Sequence, residues 1–134
     1  MEPVNGDGVP VAADTTALRR ARATDVRADG SVKKAPFLPR TERRDADGLS
    51  VSIERADLAE IHRQLYVAPN KVVVSIEVNQ VRALSLDVIA NPTDADPSHA
   101  LITGIPDRET HLAECERKAE ELAERARLYQ FPEA

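Results

Sequence analysis

The stretch Lys71-Val72-Val73-Val74-Ser75-Ile76-Glu77-Val78 decides the fold. Val72, Val74, Ile76 and Val78 recur at every second position, so an extended chain turns all four to one side. Val73, Ser75 and Glu77 face the other way. β-branched residues dominate and neither Gly nor Pro interrupts, so the segment reads as a strand with one face in a core. Upstream, Asp47-Gly48 signals a turn, and Leu49, Val51 and Ile53 alternate with Ser50, Ser52 and Glu54 as a second half-buried strand. Between the two strands, Asp57 and Glu60 have the spacing of a capping box. Leu58, Ile61 and Leu65 share a helical face there, and the helix ends before Pro69-Asn70.

Downstream, Asn79 caps a single helical turn through Val81, Arg82 and Leu84, and residues 86–90 read as a third strand. Residues 91–98 hold Pro92, Asp94, Asp96 and Pro97 and form a loop; residues 100–103 make a short fourth strand ending at Gly104. A terminal helix begins at Pro106-Asp107. Its stripe is Leu112, Cys115, Ala119, Leu122, Ala126 and Tyr129, and Pro132 stops it. The expected fold is α+β (or α/β), a single layered domain over residues 47–131 in the order β-α-β-α-β-β-α. It has about four strands, with the long C-terminal helix packed on the sheet.

Residues 1–46 are broken by Pro3, Gly6, Gly8, Pro10, Gly30, Pro36 and Pro39 and carry no sustained apolar period. They read as a flexible arm with a marginal helix at 15–27. Residues 35–40 are the exception, because Phe37 and Leu38 between two prolines suit an extended segment docked on the domain. Residues 132–134 are a tail. The chain carries a net charge of −5, yet Arg and Lys outnumber Asp and Glu nine to three over residues 19–44. Arg19, Arg20, Arg22, Lys33 and Lys34 are therefore the candidates for contact with nucleic-acid phosphates.

Composition excludes several classes. Aromatics make up 3% of the chain and Trp is absent, which argues against a base-stacking platform. One cysteine cannot form an internal disulfide, and Cys115, on the apolar helix stripe between Glu114 and Glu116, reads as a core residue. No apolar run approaches the ~20 residues of a membrane span and no signal-peptide pattern opens the chain, so a soluble cytoplasmic protein is expected. Neither a Walker loop nor Gly-x-Gly-x-x-Gly is present, and no cofactor is expected.

The most site-like stretch is Asn91-Pro92-Thr93-Asp94-Ala95-Asp96-Pro97-Ser98-His99. His99 could act as a general base oriented by Asp96 or Asp94. Ser98 and His99 are adjacent in an extended chain and point to opposite faces, which disfavours a Ser–His nucleophilic pair. The plainer reading is a turn at Asp96-Pro97-Ser98 pinned by His99. Asp94, Asp96 and His99 could meet one divalent ion, but the glycine and distal glutamate of a calcium loop are missing. Neither His62 nor His111 has a His or Glu at the i+4 spacing of a zinc-binding pair.

Four stretches resemble a group of uncharacterised bacterial proteins. They are Phe37-Leu38-Pro39-Arg40, Asp47-Gly48-Leu49-Ser50-Val51, Val78-Asn79-Gln80-Val81-Arg82-Ala83-Leu84 and Asp96-Pro97-Ser98-His99-Ala100-Leu101-Ile102. The resemblance covers residues 36–128 and implies no activity, but draws attention to His99 and Arg82. The leading functional expectation is a non-enzymatic interaction domain that binds another macromolecule, with another protein as partner. One alternative is a small enzyme or toxin-like domain using His99 with Asp96 and Arg82 on a phosphate-containing substrate. The other is nucleic-acid binding through the basic arm.

Overall fold

The computed structural model describes residues 8–40 and 48–131. The expectations placed on residues 1–7, 41–47 and 132–134 lie outside the described residues. The elements are β1 (Thr16–Arg22), β2 (Leu49–Ile53), α1 (Ala59–Tyr66), β3 (Lys71–Glu77), α2 (Val78–Ala83), β4 (Asp87–Ala90), β5 (His99–Thr103), α3 (Leu112–Arg125) and β6 (Arg127–Tyr129). They build an α+β domain around one antiparallel sheet of six strands in the order β4-β5-β2-β1-β3-β6.

The alternation that marks β3 is realised in the core. Val74 and Ile76 join Val51, Ile53, Ala100 and Ile102 in one buried cluster, to which α3 contributes Ala119, Leu122 and Ala123. The strand stops at Glu77, and Val78 opens α2 with its N–H donated to the Thr15 carbonyl at 2.9 Å. On the opposite face, Leu18, Val73 and Ser52 are buried together with Leu58 and His62 at the start of α1. Gly48 enters β2 at φ 138°, and a side chain there would put its Cβ 2.6 Å from the Ile102 carbonyl oxygen.

Two strands were not expected. The first is β1, which lies in the supposed arm yet occupies the interior of the sheet, paired with β3 along its full length from Thr16↔Glu77 to Arg22↔Lys71. Ala17 and Leu18 are fully buried. Ala and Arg are helix formers, so Thr-Ala-Leu-Arg-Arg-Ala-Arg lacks a strand signature of its own; pairing on both sides overrides that preference. The arm is thus corrected over its described part: Val11, Val32 and Phe37 are core residues as well. Residues 8–11 run along the outer edge of β4, with the Val11 N–H donated to Val88 O at 2.9 Å and the Ala90 N–H to Val9 O at 2.8 Å, so that edge is covered.

The second is β6. The terminal helix starts at Leu112, later than Pro106-Asp107, and ends at Arg125; the next residues turn extended and pair with β3 through Val73↔Tyr129 and Val74↔Leu128. Tyr129 therefore leaves the helical stripe, and Leu112 is half exposed while Cys115, Ala119 and Leu122 are buried as read.

Helix α1 is rotated from its expected face. Asp57 binds Arg55 (Arg55 Nη2 to Asp57 Oδ2, 2.6 Å) and makes no helix cap. The buried residues are Leu58 and His62, whereas Leu65 is exposed. Polar anchors decide the rotation, since Tyr66 reaches Ser52 and His62 Nε2 accepts from the Arg55 N–H. His62 Nδ1 is buried and finds no hydrogen-bond partner among the described residues. Burial holds the His62 imidazole below its ordinary value of 6.5, and the nearby carboxylates of Asp96, Glu54 and Asp57 only partly offset this. The unfolded chain then takes up a proton that the native state resists, so stability is full above about pH 6.5 and falls as pH drops toward the folded-state value. Urea midpoints at neutral and mildly acidic pH are expected to diverge less in His62→Gln than in the wild-type chain. Equal divergence would mean that another group drives the loss.

Candidate functional site

The pairing between β1 and β2 is limited to Ala17↔Ile53 and Leu18↔Ser52, while β1 continues along β3 to Arg22. Beyond Leu18, β1 and β2 therefore diverge. Arg19 fills the opening as a strut, with Nη1 donating to Ser50 O at 2.6 Å and Nε to Pro36 O at 2.5 Å. The strut places the segment around Pro36 beside β1 and leaves a groove of about 570 Å³. Arg19, Arg20, Arg22, Arg40, Lys71 and Arg108 line this groove, with Asp25 as the one acid among the described lining residues. Arg108 Nη1 donates to Pro39 O at 2.9 Å, so this contact, like the Arg19 contacts to Ser50 and Pro36, goes to a backbone carbonyl.

A second cleft of about 470 Å³ shares Arg19, Arg20 and Arg40 with the first and extends to Ser50, Tyr66, Thr93, Asp96 and His99. His99 sits opposite Ser52 across the β2–β5 ladder, on the sheet face away from the main core. Its Nδ1 is 2.8 Å from the Asn91 carbonyl, which can only accept; Nδ1 therefore carries the proton and Nε2 is the nitrogen left for a ligand.

Asp96 has a different task. It is 4% exposed, and its Oδ1 accepts from the Ser98 N–H at 3.0 Å and the Ser98 hydroxyl at 2.8 Å. Its Oδ2 accepts from the Ser52 hydroxyl, and the Ser52 oxygen lies 2.5 Å from the Tyr66 hydroxyl. Since the carboxylate only accepts, the proton order is Tyr66 to Ser52 to Asp96. Burial pushes the Tyr66 phenol up and outweighs the opposing Ser52 contact, so Tyr66 stays protonated as a donor and wall.

The structure thus brings Asp96 and His99 to one cleft without joining them. The link between them is backbone, from the His99 N–H to Asp96 O at 3.2 Å, and the turn reading of Asp96-Pro97-Ser98 describes what is seen. Asp94 is exposed, and among the described residues no three or more His, Cys, Asp or Glu side chains are arranged to hold a metal. Arg82 does not line the cleft. It binds Asp87 Oδ1 at 2.9 Å and the Val11 carbonyl. Burial raises the Asp87 carboxyl, but the Arg82 and Val88 contacts outweigh it and hold the group below its usual range.

Of the basic candidates, Arg19, Arg20 and Arg22 meet in the groove. Lys34 instead pairs with Glu116 at 3.3 Å and Glu120 at 3.5 Å, and Lys33 lies in a depression shared with Glu120 and Glu124. Sequence reading missed Ser52, Tyr66, Lys71 and Arg108. Ser52 had one visible sign, a hydroxyl in a strand whose neighbours Val51 and Ile53 are apolar. Among the described residues, no helix is long and apolar enough to cross a membrane. Comparison with protein-family models, curated proteins and solved structures finds no match in any of the three.

Proposed function

We propose that this domain is a non-enzymatic binding module that holds the phosphate backbone of a nucleic acid in the groove where β1 parts from β2. The observation that carries this reading is that, among the described residues, six cationic side chains and one acid line the groove of a chain whose net charge is −5. Five of the six are arginines, whose planar forks match phosphate oxygens better than an ammonium does. A protein partner was the leading expectation from sequence; the groove instead favours a polyanion. Scarce aromatics point to recognition through the backbone rather than through stacked bases. Asp96 and Arg82 are engaged elsewhere, and among the described residues no carboxylate bonds the His99 ring, which favours binding over catalysis.

The test is fluorescence anisotropy with short labelled DNA and RNA strands over a salt series. If about four phosphates of a single strand are contacted, affinity is expected to fall ~50-fold between about 50 and 200 mM salt. Arg20 and Arg22 are exposed, so reversing both to Glu should leave folding intact. That double variant is expected to weaken binding about 50-fold at the lower salt. No binding at low salt, or equal binding by the reversed variant, overturns the proposal.

A further inference from the structure

The second cleft differs from the groove in what it offers an anion. We propose that it is a subsite for a phosphate monoester, held by Arg20 and the His99 Nε2 beside Ser50 and Tyr66. The inference rests on the nucleic-acid reading only as to the source of the ester, which is either the 5′ end of a bound strand or a small free phosphate ester.

Four observations meet there. The Arg20 side chain, at the junction of the two clefts, makes no hydrogen bond or ion pair among the described residues, so its guanidinium fork is available. The His99 ring is already oriented by Asn91, and in its protonated form Nε2 becomes a second charged donor. Ser50 is exposed on the same wall and adds a hydroxyl. Asp96 borders the cleft and would repel an anion, but it is nearly buried and three donors from Ser52 and Ser98 meet its charge.

A monoester suits this set better than a bridging diester. Near neutral pH it carries close to two charges and presents three terminal oxygens, enough for both the guanidinium fork and the His99 ring. A diester carries one charge and two free oxygens, which the groove alone can satisfy. Continuity through Arg20 lets a strand lie in the groove with its terminal phosphate at His99.

The experiment has two arms on the full chain. In the first, strands labelled at the 3′ end and bearing either a 5′-phosphate or a 5′-hydroxyl are compared by anisotropy. The phosphate is expected to tighten binding about tenfold, and His99→Ala to reduce that preference below about twofold. In the second, inorganic phosphate is titrated into the wild-type protein and the His99 ring resonances are followed by NMR, so no variant need fold. Shifts without strand preference support the subsite and identify a free ester as its ligand; preference without shifts supports it and identifies the strand end. Equal affinity for both strands together with a silent His99 ring overturns the proposal. So does a preference that survives in folded His99→Ala. Failure of the hydroxyl strand to bind at all tells against the groove reading and leaves the phosphate titration to decide the subsite.

Discussion

Phe37→Ala is expected to remove about 4 kcal/mol of folding stability, a large share of the 5–15 kcal/mol typical of a domain. Phe37 is fully buried, the largest of the side chains in that state, and closes a single 3-10 turn at Ala35–Phe37. It packs in the cluster that also holds Ala21 and Val32 and the α3 residues Ala119 and Leu122. Truncation leaves a void where a ring joined the arm, the sheet and the last helix, and none of these can close it without breaking pairing elsewhere. Phe37→Leu, which keeps most of the volume, is expected to lose about 1 kcal/mol. Urea unfolding of the two variants measures both. The loss should also reach the groove, because the adjacent Pro36 carbonyl is an anchor for Arg19. Oligonucleotide affinity should therefore drop in Phe37→Ala under conditions where the chain is still folded. A midpoint unchanged in Phe37→Ala would mean that the turn merely rests on the domain.

That Phe37 meets the domain was legible from its place between Pro36 and Pro39, but the extended path expected over residues 35–40 is corrected, because Ala35–Phe37 closes into a 3-10 turn. The strand at Lys71–Glu77 was legible because the β-branched residues Val72, Val74 and Ile76 recur at every second position. Strand β1 was not. Its buried residues are Ala17, Leu18 and Ala21, too small and too helix-prone to advertise a strand, and its Arg19 serves as a polar strut that no local pattern announces. Overlooking it turned the centre of the sheet into a tail and hid the opening from β2 that makes the groove. For the site, the loop around Asp96 and His99 stood out by composition, and both residues do border one cleft. What could not be read was their division of labour. Asp96 answers to Ser52, 44 residues away, and Ser52 to Tyr66, 14 residues away, so the network exists only once the strands are paired. Arg82 was singled out through the resemblance alone, while its charge is drawn to Asp87, five residues on.

That network sets the second large effect. Asp96→Ala is expected to lose about 3 kcal/mol, because it leaves the Ser98 amide and the Ser98 hydroxyl without their acceptor and forces the Ser52 hydroxyl to turn to Tyr66. Ser52 and Ser98 are both fully buried, which removes the cheap remedy of turning toward solvent. Asp96→Asn separates geometry from charge. Its side-chain oxygen can still accept from Ser98, and its NH2 can donate to Ser52 once that hydroxyl reverses, so a loss of only about 1 kcal/mol is expected. The two variants should also part in binding. Removing a carboxylate next to an anion subsite ought to favour the anion, so folded Asp96→Asn should bind the 5′-phosphorylated strand at least as tightly as the wild type. If Asp96→Asn instead destabilises as much as Asp96→Ala, charge rather than hydrogen bonding holds the loop. If it also weakens phosphate binding, Asp96 acts on the ligand through the orientation of His99, and its role in the cleft is that of a positioning residue.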